Sequence, residues 1–193
     1  MVASSLLRGL ATALLAGLLL VGAVAGAGAT TIIRVQSPKG LEAWPVNEPS
    51  IPIISLQVAW RRAGSASDPA AKAGLANLVS GLLDEGAGSL DSATFQRRLE
   101  ELAISLQFDA GRDRFGGALR TLSKNRDEAF KLFGLAISAP RFDAAPVERL
   151  RRQILSRLNE EQEDPDLIAS RALLASSLPT HPYGQAISDT WQA

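Results

Sequence analysis

The chain has 193 residues, of which 46% are hydrophobic, with 20 basic and 20 acidic residues and no cysteine. This composition is typical of a globular protein large enough to bury a hydrophobic core. Zero net charge argues against a nucleic-acid-binding protein, and the lack of cysteine excludes disulfides and thiolate chemistry.

Residues 1–29 have the pattern of a secretory signal peptide. Arg8 is the only charged residue in the first thirty, and an apolar run at 10–24 precedes small residues with A-x-A sites ending at Ala27 and Ala29. An uncleaved membrane anchor is the alternative, because the run approaches the roughly 18 residues that span a bilayer. The sequence therefore predicts a periplasmic or secreted protein that meets the membrane only during export.

The next segment carries strand patterns. The β-branched run 31–36, the turn at 38–40 and the apolar run 41–46 predict a β-hairpin. In residues 53–60 one face carries only apolar residues, namely Ile54, Leu56, Val58 and Trp60. This alternation predicts a strand in a sheet that is buried on one side.

Residues 74–83 carry the pattern of a helix that organises the rest of the chain. Its apolar residues recur with helical spacing, at Leu75, Leu78, Val79, Leu82 and Leu83. The spacing predicts a helix that starts at Asp68-Pro69 and buries this stripe. Asn77 and Gly81 share another face, at the spacing of two zinc-binding histidines, with Ser80 beside them. None of these three is a good zinc ligand or a general base.

The rest of the sequence predicts a helix at about 91–102, a pair of strands at 104–110 and 115–119, and three more helices at 126–139, 143–163 and 165–178. Asn125 is the predicted N-cap of the helix at 126–139, whose buried stripe would include Phe130. The order of elements predicts an α+β fold, a two-layer sandwich with helices on one face of a mainly antiparallel sheet.

The predicted helix at 74–83 and its surroundings resemble the N-terminal domain of the M16 zinc peptidases, the family of pitrilysin, insulinase and the mitochondrial processing peptidase. The resemblance covers roughly residues 33–190, through segments at 83–86, 95–99, 140–142, 163–165 and 181–184. Active family members carry the zinc motif H-x-x-E-H on this helix. Its two histidines align with Asn77 and Gly81, and its catalytic glutamate aligns with Ser80.

The resemblance also implies that the third zinc ligand is missing. This ligand is a glutamate on a later helix, and it aligns with Arg157, whose guanidinium has only donors. An earlier functional glutamate of that helix aligns with Leu150. Carboxylates lie nearby, at Asp84, Glu85, Glu160, Glu161 and Glu163, but the single histidine, His181, cannot supply a histidine pair and is expected to pack in its own turn. We therefore expect no metal, no cofactor and no catalytic residue in this chain, with zinc only in an active partner.

The resemblance implies a non-catalytic M16 peptidase-like subunit, because some family members are pairs in which only one chain keeps the zinc site. Such a subunit would form a peptide-binding chamber with an active zinc peptidase and would contact unfolded peptide. The candidate wall residues are Asn77, Ser80, Gly81 and Arg157. An extended peptide would pair with the strand at 53–60, beside Ile53, Ser55 and Gln57.

Three other interpretations stay open. The chain could be a stand-alone exported binding or scaffold protein, a non-functional fragment, or a metallopeptidase with unrecognised zinc ligands. The fragment interpretation arises because family chains contain at least two such domains, whereas residues 30–193 number only 193 − 29 = 164. The sequence therefore predicts an M16-like N-terminal domain over 30–193 that is truncated before its closing strands.

Overall fold

The computed structural model describes residues 32–184, so the predicted signal peptide at 1–29 lies outside the described residues. The chain divides into two units, with the boundary between Ile51 and Pro52. Within 32–184, no helix is both long enough and apolar enough to cross a bilayer.

The first unit contains a short β-hairpin. Strands β1 (Val35–Gln36) and β2 (Glu42–Ala43) pair antiparallel. Ser37 closes the turn, because its N–H donates to the Leu41 carbonyl at 2.7 Å and its Oγ accepts from the Leu41 N–H at 3.0 Å. The predicted hairpin is therefore present, with shorter strands than the apolar runs indicated.

The second unit is built on a three-stranded antiparallel sheet. Its strands are β3 (Ile53–Arg61), β4 (Ser105–Ala110) and β5 (Arg114–Leu122), in the order β3-β5-β4. The register places Leu56, Leu119 and Leu106 side by side across the three strands. Within residues 32–184, the outer edge of β3 carries no further strand.

As far as residue 184, the second unit also contains five α-helices, namely α1 (Leu75–Ser80), α2 (Ser92–Glu101), α3 (Arg126–Ser138), α4 (Ala144–Glu163) and α5 (Pro165–Ser177). The core joins α2 and α3 to one face of the sheet, through the fully buried Phe95, Leu119 and Leu132. The side chains on the other face, such as Ser55 and Gln107, are exposed. The predicted α+β architecture, with helices on one face of an antiparallel sheet, is confirmed.

One prediction about α3 holds in part and another is wrong. Asn125 is the N-cap residue, as predicted, but its side chain does not bond to the helix; instead, its Nδ2 donates to the Leu102 carbonyl at 2.6 Å and ties the start of α3 to the end of α2. Phe130 is 43% exposed, because the face turned to the sheet is formed by Ala129, Leu132, Phe133 and Ala136. Helical spacing identified the apolar residues of α3 but not the width of the buried face.

A buried hydroxyl in β5 gives a testable prediction. Thr121 is 2% exposed, and within the described residues its Oγ1 has no hydrogen-bond partner. Replacing Thr121 with valine, which has nearly the same shape, should raise the free energy of unfolding by about 1 kcal/mol, because it removes a desolvated polar group. Urea unfolding would measure the change. Thr94→Val is the control, expected to stay within about 0.5 kcal/mol, and a destabilised Thr121→Val would contradict the prediction.

Candidate functional site

The segment aligned with the peptidase zinc helix is short. Helix α1 begins at Leu75, after Gly74 in a left-handed conformation with φ of 88° that glycine adopts readily. The Asp68 carboxylate accepts hydrogen bonds from the Gly74 N–H at 2.9 Å and from the Ala76 N–H at 3.2 Å. The predicted helix start at Asp68-Pro69 is therefore wrong, because Asp68 lies ahead of the helix and caps it from a distance.

The end of α1 also differs from the prediction. The helix ends at Ser80, and the Gly81 N–H donates to the Asn77 carbonyl at 3.3 Å. Leu82 and Leu83 are buried just beyond the helix, whereas Leu75 is 38% exposed. The predicted apolar stripe is therefore buried mainly at its C-terminal end, where the chain leaves the helix.

Ser80 stands where an active peptidase has its catalytic glutamate. It is buried, and its Oγ donates to the Asn77 carbonyl one turn earlier, at 2.8 Å. The hydroxyl is thus bound to the backbone of its own helix. Nothing in this arrangement supplies a general base, because a serine hydroxyl is far too weakly basic to take a proton from water unaided.

Gly81 aligns with the second zinc histidine, and the space beside it is filled by a leucine from α4. A Cβ placed on Gly81 would lie 2.7 Å from Leu150 Cδ2 and 3.3 Å from its Cδ1. The Leu150 methyl groups therefore occupy the space that any side chain at position 81 would need first. The structure brings together two of the aligned positions, 81 and 150, in an apolar contact between the end of α1 and α4.

Arg157 lies on α4, seven residues beyond Leu150, which is about 10 Å further along the helix. Its Nε is 3.6 Å from Glu161 Oε1, and Glu161 Oε2 is 2.5 Å from Arg171 Nη2 on α5. The Arg157 side chain is 55% exposed. The residue aligned with the third zinc ligand thus belongs to a charged surface network between α4 and α5.

A second contact between the α1 region and α4 was not singled out by the sequence as a pair. Glu85 Oε2 lies 2.6 Å from Arg149 Nη2 and accepts a hydrogen bond from Ser92 Oγ at 2.6 Å. Burial acts to raise the pKa of Glu85, but the bonds from Arg149 and Ser92 outweigh it, so the pKa is lowered overall. The charged form stabilises the fold above the ordinary pKa of glutamate, and this contribution is lost as the pH falls through the lowered value.

The neighbouring carboxyl, Asp84, behaves in the opposite way. Burial raises its pKa, and the nearby charge of Glu85 acts in the same direction. Its backbone carbonyl accepts a hydrogen bond from Gln96 Nε2 at 2.9 Å, which fixes this segment to α2. The pKa of Asp84 is therefore raised and that of Glu85 lowered, since only Glu85 has a cationic partner in direct contact.

The donor set of the aligned positions does not fit zinc. Asn77, Ser80, Gly81 and Arg157 offer an amide, a bonded hydroxyl, no side chain and a guanidinium, none of which replaces imidazole or carboxylate. Within residues 32–184, no cluster of three or more histidine, cysteine, aspartate or glutamate side chains is arranged to hold a metal ion. The arrangement supports packing between helices rather than hydrolysis.

The residues predicted to contact peptide lie in two places. Ile53, Ser55 and Gln57 are exposed along β3, on the face of the sheet that points away from the helices. Asn77 and Ser80 belong to α1, which lies next to β4. Since β5 separates β3 from β4, the two groups form separate surfaces.

His181 packs in its own turn, as the sequence indicated. Its Nδ1 accepts from the Tyr183 N–H at 3.2 Å, and the two rings meet edge to face with centroids 4.9 Å apart. Arg112, in the turn between β4 and β5, donates to the Tyr183 carbonyl at 3.1 Å. His181 therefore helps to hold the segment after α5 to the tip of the β4–β5 hairpin.

The contact between Gly81 and Leu150 gives a second prediction. Gly81→His should lower the free energy of unfolding by about 1–3 kcal/mol, because the imidazole needs space that Leu150 fills. In the Gly81→His/Leu150→Ala protein, the loss should be smaller than the sum of the single losses by about 1–2 kcal/mol, because the neighbours couple. Urea unfolding of the four proteins gives this coupling. Additive losses would show that positions 81 and 150 do not touch.

Comparison with known sequences identifies the family and one curated relative. The sequence profile of "Insulinase (Peptidase family M16)" matches residues 52–191. A protein named "Non-peptidase homolog YmxG", from Helicobacter pylori (strain ATCC 700392 / 26695), is 29% identical over 140 residues, which cover 72% of this chain and 32% of that protein. The chain thus spans about a third of the length of this curated relative.

Solved structures support the same fold. A crystal structure described as a peptidase M16 inactive domain from Pseudomonas fluorescens matches with a TM-score of 0.76 and 26% identity, over 82% of this chain and 38% of that one. A protease from Helicobacter pylori matches in fold, with a TM-score of 0.71 and 16% identity, over 84% of this chain and 39% of that one. Because the family profile matches well over half of its residues, the chain belongs to the M16 peptidase family.

Proposed function

We propose that this chain is a non-catalytic M16 protein that supplies peptide-binding surface to an active zinc peptidase partner. The observation that carries the proposal is the contact of Leu150 with Gly81, which places apolar packing where the second zinc histidine would stand. The bonded hydroxyl of Ser80 and the ion pair of Arg157 with Glu161 support it at the other aligned positions. Loss of zinc chemistry with retention of the fold is what a supporting subunit needs.

The similarity to other proteins agrees with this proposal. One relative is named a non-peptidase homolog, and one structural neighbour is described as an inactive domain. On this proposal zinc is bound by the partner, which carries the H-x-x-E-H helix, and the present chain holds no cofactor. Residues 1–29 direct the chain out of the cytoplasm, so the pair works in the periplasm or beyond.

On this proposal two surfaces would contact peptide. The first is β3, the strand at 53–61, where an extended peptide would bind by strand addition through backbone N–H and C=O groups. The second surface lies around Asn77 and Ser80 on α1, with Arg157 on α4, and would form part of the chamber wall. The edge of β3 offers the more specific chemistry, because strand pairing aligns a peptide residue by residue.

Affinity purification of the C-terminally tagged full chain from its own cells tests the proposal. We expect an M16 protein with H-x-x-E-H to co-purify, zinc in the complex but not in the isolated chain, and peptidase activity that a chelator removes. Cell fractionation should place the chain outside the cytoplasm. Zinc and chelator-sensitive activity in the chain purified alone would overturn the non-catalytic assignment.

The stand-alone binding protein is distinguished by the same experiment. If the chain purifies without an M16 partner but still binds extended peptide, the peptide-binding surface exists and the partnership does not. A tagged Leu150→Ala variant, purified in parallel, is the control. It weakens the packing of α4 against α1 but should leave β3 unchanged, so peptide binding at β3 should not change.

A further inference from the structure

Helix α4 is attached to the second unit beside the main core and not through it. The core cluster joins α2 and α3 to the sheet, and within residues 32–184 it contains no residue of α4. Ile154 of α4 is buried, whereas α3 buries four residues, namely Ala129, Leu132, Phe133 and Ala136. Because local opening costs less where fewer apolar residues are buried, α4 can move while the core stays folded.

Two adjacent residues of α4 fasten it to the segment that follows α1. The methyl groups of Leu150 lie over Gly81, and Arg149 Nη2 lies 2.6 Å from Glu85 Oε2. The same oxygen accepts a hydrogen bond from the hydroxyl of Ser92, the first residue of α2, at 2.6 Å. The Glu85 side chain is only 17% exposed, so its charge is largely shielded from water. One carboxylate oxygen thus joins three elements.

The corner before α4 is fixed on one side and strained on the other. The Gly88 N–H donates to the Ala139 carbonyl at 2.8 Å, and the Arg141 N–H donates to the Gly86 carbonyl at 3.1 Å. The next residue, Phe142, has a φ of 49°, a left-handed conformation that bulky side chains rarely adopt. Strain at Phe142 therefore lies between an anchored corner and the start of α4, where a rotation would relieve it.

From these contacts we infer that α4 is a strap across the end of α1, which pivots at Phe142 and is held closed by the ionised Glu85. Loss of the negative charge, by protonation or by substitution, releases Arg149. The methyl groups of Leu150 then leave Gly81, and the end of α1 is uncovered while the main core stays folded. This inference is independent of the proposed peptide binding, since it concerns contacts within the chain alone.

The groups around Glu85 set the direction of the pH dependence. Arg149 faces it from α4, Ser92 faces it from α2, and Asp84 precedes it in its own segment. Burial acts to raise the pKa of Glu85, but the bonds from Arg149 and Ser92 lower it overall. Burial raises the pKa of Asp84, so this carboxyl is a poorer counter-charge for Arg149. The strap should therefore be closed at neutral pH and open as the pH falls through the lowered pKa of Glu85.

Hydrogen exchange of the full chain at neutral pH, followed by mass spectrometry, tests the inference. Glu85→Gln removes the charge with little change of shape, and exchange in α4 should become about tenfold faster, as expected for the loss of a charged hydrogen bond. Arg149→Gln should have the same effect. Exchange in α3 should not change in either variant. The matched control is Arg151→Gln, because Arg151 lies on the same helix and pairs with Glu148 of that helix, at 3.9 Å. It should leave exchange in α4 unchanged.

Two further comparisons test the fastening and the pivot separately. The exchanged pair Glu85→Arg/Arg149→Glu should restore slow exchange in α4, because opposite charges again face each other. At the pivot, Phe142→Asn and Phe142→Ala both remove the ring, but asparagine adopts the left-handed conformation more readily. Exchange in α4 should therefore be several-fold slower in Phe142→Asn than in Phe142→Ala, because the closed strap is less strained.

Each outcome supports or overturns one part of the inference. If Glu85→Gln accelerates exchange in α3 and α4 equally, α4 opens only when the whole unit unfolds, and the strap is overturned. No acceleration in α4 would overturn Glu85 as its fastening, and equal rates in the two Phe142 variants would overturn the pivot. On acidification of the unchanged protein, with intrinsic exchange rates corrected for, α4 should lose protection before α3 does; simultaneous loss would overturn the pH response.

Discussion

Replacing Phe95 with alanine should lower the free energy of unfolding by about 3–5 kcal/mol. Phe95 is completely buried in the cluster that joins α2 and α3 to the sheet, together with Leu119 and Leu132. Truncation removes the transfer free energy of the ring and leaves a cavity that the surrounding side chains fill only in part. Since domains of this kind are stable by about 5–15 kcal/mol, the loss is a large fraction of the total. Urea unfolding followed by far-ultraviolet circular dichroism measures it.

Phe130→Ala is the matched control for this change. Phe130 is the same residue type in a helix, but much of its side chain faces solvent. We expect a loss below about 1 kcal/mol, as for surface substitutions in general. Equal losses for the two variants would mean that the layer between α2, α3 and the sheet is not the main core of the protein.

Gly64→Ala should destabilise the fold by about 2–4 kcal/mol, through overpacking and lost hydrogen bonds. A Cβ at Gly64 would lie 2.4 Å from the carbonyl oxygens of both Gly111 and Arg112. These oxygens accept hydrogen bonds from the Ser65 and Ala66 N–H groups, each at 2.9 Å. Because the obstacle is backbone, it cannot move aside as a flexible side chain would. Thermal and urea unfolding measure the loss.

Gly134→Ala is the control for the glycine substitution. Gly134 lies inside α3, where a Cβ would meet nothing within 4 Å. Alanine should therefore stabilise α3 by about 0.5–1 kcal/mol, because glycine is a poor helix former. Opposite signs for the two variants are expected. If Gly64→Ala were as stable as the unchanged protein, the loop after β3 would not pack on the turn between β4 and β5 as described.

The elements that could be read from the sequence are those with a strong local signal. The alternation of Ile54, Leu56, Val58 and Trp60 predicted β3 within one residue of its observed end. The predicted helix at about 91–102 is present as α2, and Asp91 caps it, since its side chain accepts from the Thr94 N–H at 2.8 Å. In both cases the pattern and the structure depend on residues that are close in sequence, so periodicity and capping rules apply directly.

The elements that could not be read depend on distant contacts. The length of α1 is set by Gly74 in a left-handed conformation and by Asp68 reaching the helix N–H groups from six and eight residues away. The exposure of Phe130 depends on which part of α3 the sheet covers. Local propensity carries no information about either, because each is decided by where another part of the chain lies.

The candidate site shows the same division. Residue type alone determines that Asn77, Ser80, Gly81 and Arg157 cannot bind zinc, because ligand chemistry depends on which donor atoms a side chain has. Only the tertiary structure reveals that Leu150, 150 − 81 = 69 residues away, fills the space beside Gly81, and that Arg149 pairs with Glu85. The missing chemistry is a property of single residues, whereas the closed packing arises where two helices meet.

The sequence by itself thus determined the fold class, the resemblance to M16 peptidases and the loss of the zinc ligands, because periodicity and donor chemistry are local properties. The tertiary structure decided what took the place of the site and in which order the strands pair, because both depend on the packing of elements far apart in the chain.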